Sequence, residues 1–464
     1  MTGVRALAPR APFRALFRAA ALAAAFAGAA RAQQPTFTPD RATGVYAAGE
    51  RVGWTVTLPR SPNGRAASGP YRYVVRRDGG TPVDSGTLDL RRGRARIETR
   101  LAEPAMVLVE VRPPRPDSTF GNRSTGGPGR VLLGAAVAPE GIRPAEPAPA
   151  DFDAFWSQKL GDLAAVPMNP VVTPGAGGRG GVEYATVRLD NVRGAHVYGQ
   201  LARPARAGKF PALVIYQWAS PPYPLQKAWV TDRAAEGWLA LNVMPHDVPG
   251  DMPPAFYDAL PALVKNYHLI GRHSRDESDF LRMYLGAYRA VEYLASRPDW
   301  DGRTLVVTGT SMGGQQSFAA AGLHPRVTGL VVHVPAGADV TAARHGRAPS
   351  YPMWDVTRAD VREAARYFDA AHFAARVRAR SLVSMGFIDE LTTPTGIWAA
   401  FNGIRGPKEV APLPEAPHNH LATAEQQRAY TRRAAEWLAA LARGATPPAA
   451  ASTTAPAVSA PGGR

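Results

Sequence analysis

Gly309-Thr310-Ser311-Met312-Gly313, followed by Gly314, spells G-x-S-x-G. It lies between the β-branched apolar run "TLVVT" and a stretch of small residues with helical character, "QQSFAAAGL". A serine on a sharp strand-to-helix turn holds its hydroxyl clear of the main chain, and the flanking glycines let neighbouring backbone come close. The helix that follows aims its first N–H groups, that of Met312 among them, at negative charge developing beside the serine. The chemistry this suits is acyl transfer. A Gly/Ser turn in a doubly wound sheet would look the same in isolation, so the partners decide. A serine needs a base to attack at neutral pH, and the base needs a group that orients it.

Behind a nucleophile elbow the acid comes next in the chain and the histidine last. In "RSLVSMGFIDELTTP" Asp389 stands just beyond a late apolar run, with Glu390 beside it. In "KEVAPLPEAPHNHLATAEQQRAY" His418 falls in a loop before a C-terminal helix, and His420 is two residues on. The expected triad is Ser311, Asp389 and His418, with Glu390 and His420 as the rival acid and base. A second oxyanion donor belongs after the first long central strand. That strand is "FPALVIY" and the loop "QWASPPY", so the donor is the backbone N–H of Trp218 or Ala219.

Trp218, Tyr223, Trp229, Tyr351 and Trp354 fall in loops near strand ends, where sites on open sheets form. Trp354, in "SYPMWD", is the first candidate for stacking on a sugar ring, and Tyr223 is another. His246 and Asp247 are too few for a metal centre, since zinc takes about three or four protein ligands. "RHSRDESD" reads as a capped, solvated helix start. No metal or organic cofactor is expected.

The elements that must position these residues fall into two groups. Residues 36–137 alternate apolar and polar positions in "ERVGWTVTLP", "YRYVVRRDG", "GTLDLRRGRARIETRL" and "AMVLVEVRPP", punctuated by Gly, Pro, Asn and Asp. Short strands at this spacing predict a small all-β, sandwich-like domain. Residues 138–150 are a Pro-rich linker, and Asp151 is placed to cap a helix. Over 151–443 a hairpin, "YATVRLD" with "HVYGQLARP", precedes five short apolar runs: "FPALVIYQW", "WLALNVMP", "TLVVTGTS", "VTGLVVHVP" and "ARSLVSMGF". Helical segments separate most of them; the clearest has apolar spacing near 3.6 over Phe280–Leu294. Together they predict an α/β domain with a doubly wound, mostly parallel sheet. Residues 444–464 are Pro, Ala, Ser and Thr with little to bury and are expected to be disordered.

Arg5, Arg10, Arg14 and Arg18 precede the apolar run "AAALAAAFAGAA", and "ARA" closes it at Ala32. This is the pattern of a signal peptide cleaved after about Ala32, which sends the protein to the periplasm or the medium. The run is too short for a membrane anchor, which needs about 20 residues. The 464-residue chain has no cysteine, which removes disulfides and thiolate chemistry. Its net charge of +16 is nearly all arginine and is spread along the chain, without a nucleic-acid motif. Nucleic acid is therefore not an expected partner; a homo-oligomer is compatible with everything above.

From about Phe152 to Leu438 the chain resembles the acetyl xylan esterase / cephalosporin C deacetylase family of α/β-hydrolases. The resemblance is carried by "DFDAFWSQKL", "DFLRMYLGAYRAVEYLASRPDWDGRTLVVTGTSMGG", "YFDAAHFAARVRARSLVSMGFIDELTTP" and "GPKEV". It implies removal of acetyl groups from short xylo-oligosaccharides and similar small acetylated substrates, and its triad falls on Ser311, Asp389 and His418. Three departures mark a divergent branch. Met312 stands where the family usually has Gln, "MPHDVPGD" replaces an Arg-Gly-Gln turn, and His418-Asn419 replaces His-Glu. Competing expectations keep the triad but change the substrate, to a broad-specificity esterase, a glucuronoyl-type esterase or a peptidase. Another drops catalysis for secreted polysaccharide binding.

Overall fold

The alternating N-terminal pattern forms two sheets around one core. In the computed structural model, which describes residues 34–58 and 70–449, the strands are β1 (Thr36–Pro39), β2 (Val45–Tyr46), β3 (Arg51–Thr57), β4 (Tyr71–Arg77), β5 (Thr81–Leu88), β6 (Arg94–Arg100), β7 (Ala105–Arg112) and β8 (Val131–Val137). One sheet runs β1-β3-β6 and the other β2-β8-β7-β4-β5. Val52, Trp54, Val56 and Ile97 meet Tyr71, Val75, Val107, Val109 and Val111 between them. Each set has the two-residue period of a pleated face. Met106 and Ala136, on the other face of the second sheet, join the core of the following domain. That sheet is covered on both sides, which is why "AMVLVEV" is so apolar. The expected signal peptide and residues 450–464 of the expected disordered tail lie outside the described residues.

The second part is a nine-stranded sheet. Its strands are β9 (Val171–Gly175), β10 (Val182–Asp190), β11 (His196–Pro204), β12 (Phe210–Tyr216), β13 (Leu239–Val243), β14 (Trp300–Thr310), β15 (Gly329–His333), β16 (Arg380–Gly386) and β17 (Lys408–Leu413). Their order is β17-β16-β15-β14-β12-β13-β11-β10-β9. From β17 to β13 neighbours are parallel; β11, β10 and β9 complete an antiparallel edge. The expected hairpin is β10–β11, paired from Val182↔Pro204 to Asp190↔His196. The sequence pattern did not reveal β9, because every residue of "VVTPG" is exposed. Its Pro174 is tolerated because β9 is an edge strand.

Helices cover both faces. They include α1 (Phe152–Ala164), α2 (Ala228–Ala235), α3 (Asp279–Ser296), α4 (Met312–Leu323), α5 (Pro394–Gly403) and α6 (Ala424–Ala442). Ala212, Val214, Leu305, Val307, Leu330 and Val332 face α1, α3 and α4, whereas Leu213, Val306, Val331 and Leu382 face α2 and α6. Burial on both faces explains why these strands read as unbroken apolar runs. α3 opens with Ser278, whose hydroxyl accepts from the Phe280 N–H, and buries Phe280, Tyr284, Ala287, Val291 and Leu294 along one stripe. Asp151 stands at the start of α1 but its carboxylate does not cap it. It takes Arg275 at 2.6 Å and the Tyr367 hydroxyl instead, because the arginine offers a stronger, charge-assisted bond. Central strand β12 has β13 on one side and β14 on the other. Such a reversal of winding opens a crevice at the strands' carboxyl ends.

Candidate active site

β14 ends in that crevice, and Ser311 is the next residue. Its backbone is at φ 55°, ψ −118°, outside the regions a side chain prefers. The conformation is held from three sides. The Ser311 N–H donates to His333 O at 3.0 Å, and its carbonyl accepts from Gln315 and Ala336 at 3.1 and 2.9 Å. The glycines allow the turn. A Cβ on Gly309 would lie 2.3 Å from the Gly313 carbonyl carbon, and one on Gly313 would lie 2.1 Å from Tyr216 O. The second contact lets the start of α4 touch the end of β12, so that Met312 and the 217–219 loop share one corner. Among the described residues, the N–H groups of Met312, Trp218 and Ala219 donate to no other group. Ala219 is buried and its carbonyl accepts from His246 Nε2, which fixes this loop. Burial lowers the pKa of His246, so it stays a neutral donor here.

Ser311 Oγ lies 3.0 Å from His418 Nε2, and His418 Nδ1 lies 2.7 Å from Asp389 Oδ2. His418 and Asp389 are both buried. The Asp389 carboxylate accepts from the N–H groups of Leu391 and Thr392 at 2.8 and 2.9 Å and from the Thr392 hydroxyl at 2.8 Å. These bonds fix its plane toward the imidazole. Glu390 points the other way, into a two-point pair with Arg130 at 3.1 and 2.5 Å. His420 packs edge-on to His418 with ring centres 5.3 Å apart. The geometry thus brings together Ser311, His418 and Asp389, and neither Glu390 nor His420 takes a place in the relay.

The aromatic expectations need one correction. Trp354 is 6% exposed, its Nε1 donates to His268 O at 2.6 Å, and its ring packs edge-on against Phe280. No ring face is left for a sugar; the apolar surroundings gained by docking on α3 outweigh solvent contact. Tyr223 is half-buried and bonds Gln217 Oε1 at 3.0 Å. It stacks beneath Trp218 at 4.1 Å, and Trp218 is 40% exposed. Of this stacked pair Trp218 presents the more accessible ring. His246 and Asp247 do not act together: Asp247 accepts from the His196 N–H at 3.1 Å.

Two contributors were invisible in the sequence. The first is His333, buried at the end of β15. Its Nδ1 is 2.6 Å from Ser384 Oγ, and its Nε2 donates to Gln427 Oε1 at 2.9 Å. Gln427 in turn donates to the carbonyls of Asn419 and Ala422, both at 3.2 Å. The His418 loop is thereby tied to the strand whose last carbonyl holds Ser311. Burial, with the ring stacked 4.4 Å from Tyr430, pushes the pKa of His333 down to about 4. The second is Arg130, which belongs to the N-terminal β part and reaches the residue next to Asp389. Nothing in a local pattern marks either, since their partners lie 94 and 260 residues away.

Among the described residues no helix is long and apolar enough to cross a membrane. The model of the acetyl xylan esterase family matches residues 140–436. An acetyl esterase, Axe7A, from Xylanibacter ruminicola is 27% identical over 395 residues, spanning 81% of this chain and 85% of that one. The fold is shared with acetyl xylan esterase 1 from Thermoanaerobacterium, at TM-score 0.56 and 20% identity, over 65% of this chain and 97% of that one. It is shared equally with an acetyl xylan esterase from a Paenibacillus species, at TM-score 0.54 and 21% identity, over 64% and 98%. A strand-to-helix serine in the crevice of an α/β-hydrolase sheet, within a family match of this extent, leads to one assignment: the chain belongs to the acetyl xylan esterase family and is a carboxylic ester hydrolase.

Proposed function

We propose that the protein is an exported serine esterase that removes acetyl groups from acetylated xylo-oligosaccharides and similar small esters, with Ser311, His418 and Asp389 as its catalytic residues. The observation that carries this reading is the unbroken relay of 3.0 and 2.7 Å from serine through histidine to aspartate. Ser311 Oγ attacks the acetyl carbonyl carbon while His418 Nε2 takes its proton. Asp389 holds the ring with Nδ1 protonated and stabilises the imidazolium. The oxyanion is met by the N–H of Met312 and by that of Trp218 or Ala219, each worth about 3 kcal/mol at the transition state. The intermediate collapses, His418 returns the proton to the departing sugar oxygen, and an acetyl-serine remains. Water activated by His418 then releases acetate by the same path. No step draws on a metal or organic cofactor.

Export rests on the basic, apolar and small-residue succession ending at Ala32, with a mature chain starting at Gln33. The domain plan we infer is an all-β domain over 36–137, a linker over 138–150 and a catalytic domain over 151–443. The test is acetate release from acetylated xylo-oligosaccharides, beside hydrolysis of an aryl acetate, by residues 33–464 and by Ser311→Ala. Turnover of both by the parent is expected, with a loss on the order of 10³-fold or more in the variant. Turnover of the aryl acetate alone would refute the saccharide assignment. Undiminished turnover by the variant would refute the triad.

A further inference from the structure

The departing alcohol takes its proton from His418, so the sugar must lie on the side of the site that His418 borders. There the protein has a cavity of about 400 Å³, within the range of small-molecule sites. Its walls carry His418 but not Ser311, Met312 or residues 217–219, so it adjoins the serine on the histidine's far side from the oxyanion corner. The catalytic part supplies Ile388, Glu390, Leu391, Leu421 and His420, and the N-terminal β part supplies the loop with Arg123 and Arg130. The two arginines differ in what balances them. Arg130 is paired with Glu110 and Glu390. Arg123 is exposed and has no carboxylate within 4.0 Å among the described residues. It lines the cavity together with His420, whose pKa is lowered chiefly by burial, with Arg123 adding to the shift.

The backbone on either side of Arg123 is held by hydrogen bonds. Asn122 accepts from the Ser124 N–H at 2.9 Å, and the Thr125 hydroxyl accepts from the Asn122 N–H at 2.9 Å. Ser124 O accepts from Gln426 Nε2 at 2.9 Å, tying the loop to α6 beside His418. Arg130 Nε donates back to Gly126 O at 2.7 Å. A Cβ on Gly121 would lie 1.9 Å from Arg130 O, so the loop's tight path requires glycine there. A cation held on a preorganised loop, over the alcohol side of an esterase site and without a protein counter-charge, is a site for a substrate anion.

We infer that the N-terminal β part completes the alcohol pocket and that Arg123 selects acidic saccharides, meaning acetylated sugar chains that carry a uronic-acid carboxylate. This rests on the esterase reading for the placement of the sugar, but its test does not need turnover. Non-acetylated xylo-oligosaccharides, neutral or bearing one uronic-acid residue, are titrated calorimetrically into the full mature chain and into Arg123→Gln and Arg123→Glu. The parent should bind the acidic chain roughly two- to five-fold more tightly than the neutral one, the worth of one exposed ion pair. The preference should shrink as salt rises, disappear in Arg123→Gln and reverse in Arg123→Glu. Equal binding of the two chains, binding of neither, or a preference that survives both substitutions would overturn the inference. Failure of the esterase reading shows separately, as absence of aryl acetate hydrolysis.

Discussion

His333 gives the sharpest quantitative expectation, because it sits neutral in the core and has no catalytic duty. Its ordinary value is 6.5 and burial brings it to about 4 in the folded protein. Below pH 6.5 the unfolded chain takes up a proton that the folded one refuses, so stability falls as pH drops from 6.5 toward 4. With those two values the unfolded state gains on the order of 2–3 kcal/mol from this group at pH 4.5 and almost nothing at pH 7. That difference should vanish in His333→Gln, whose amide does not titrate but offers an acceptor and a donor. The assay is urea unfolding of parent and variant at pH 7.0 and 4.5. Losing the stack on Tyr430 lowers the variant's stability equally at both pH values and cancels in the comparison. His324, also held near 4 by burial, is common to both proteins and cancels too. The parent should lose about 2 kcal/mol more than the variant on acidification. Equal losses would refute the claim that His333 is kept neutral by its surroundings.

Other expectations follow from the same contacts. Asp389→Asn should lower kcat for an aryl acetate by on the order of 10⁴-fold, because an amide favours the wrong imidazole tautomer; steady-state kinetics at neutral pH reads this out. Gln427→Leu should lower kcat by roughly ten- to hundred-fold with little change in KM, since it frees the His418 loop without touching substrate. Gly313→Ala forces a methyl group toward Tyr216 O and should cost about 1–3 kcal/mol in urea unfolding, with a loss of activity beyond the loss of folded protein.

The N-terminal β part has a closer relation to the active site than its sequence suggests. Beyond the Arg130–Glu390 pair, the Asp78 carboxylate accepts from the Met106 N–H and the Thr395 hydroxyl, both at 2.9 Å. Asn402 donates to the carbonyls of Pro139 and Ile142 at 2.7 and 2.9 Å. Phe387, two residues before Asp389, lies against Gly134 so closely that a Cβ there would approach it to 2.5 Å. The acid loop is thus packed from one side by β8, and its geometry depends on both parts of the chain.

The sequence by itself determined what local chemistry writes into a short window. A β-branched run, two glycines around a serine and a small-residue helix specify the elbow, because the glycine at 313 leaves open the space where a Cβ would lie 2.1 Å from Tyr216 O, beside a serine at φ 55°. Unbroken apolar runs identified strands buried on both faces, and the order serine, acid, histidine was readable as soon as the strands were counted. Tertiary structure alone put Asp389, and not Glu390, against His418, since adjacent carboxylates differ only in the direction their side chains take, and Glu390 is turned to Arg130, 260 residues away. It also buried Trp354, exposed Trp218 over Tyr223, and put His333 beneath the site. Exposure and long-range pairing depend on which surfaces meet when the chain closes on itself. No local pattern of residues records that.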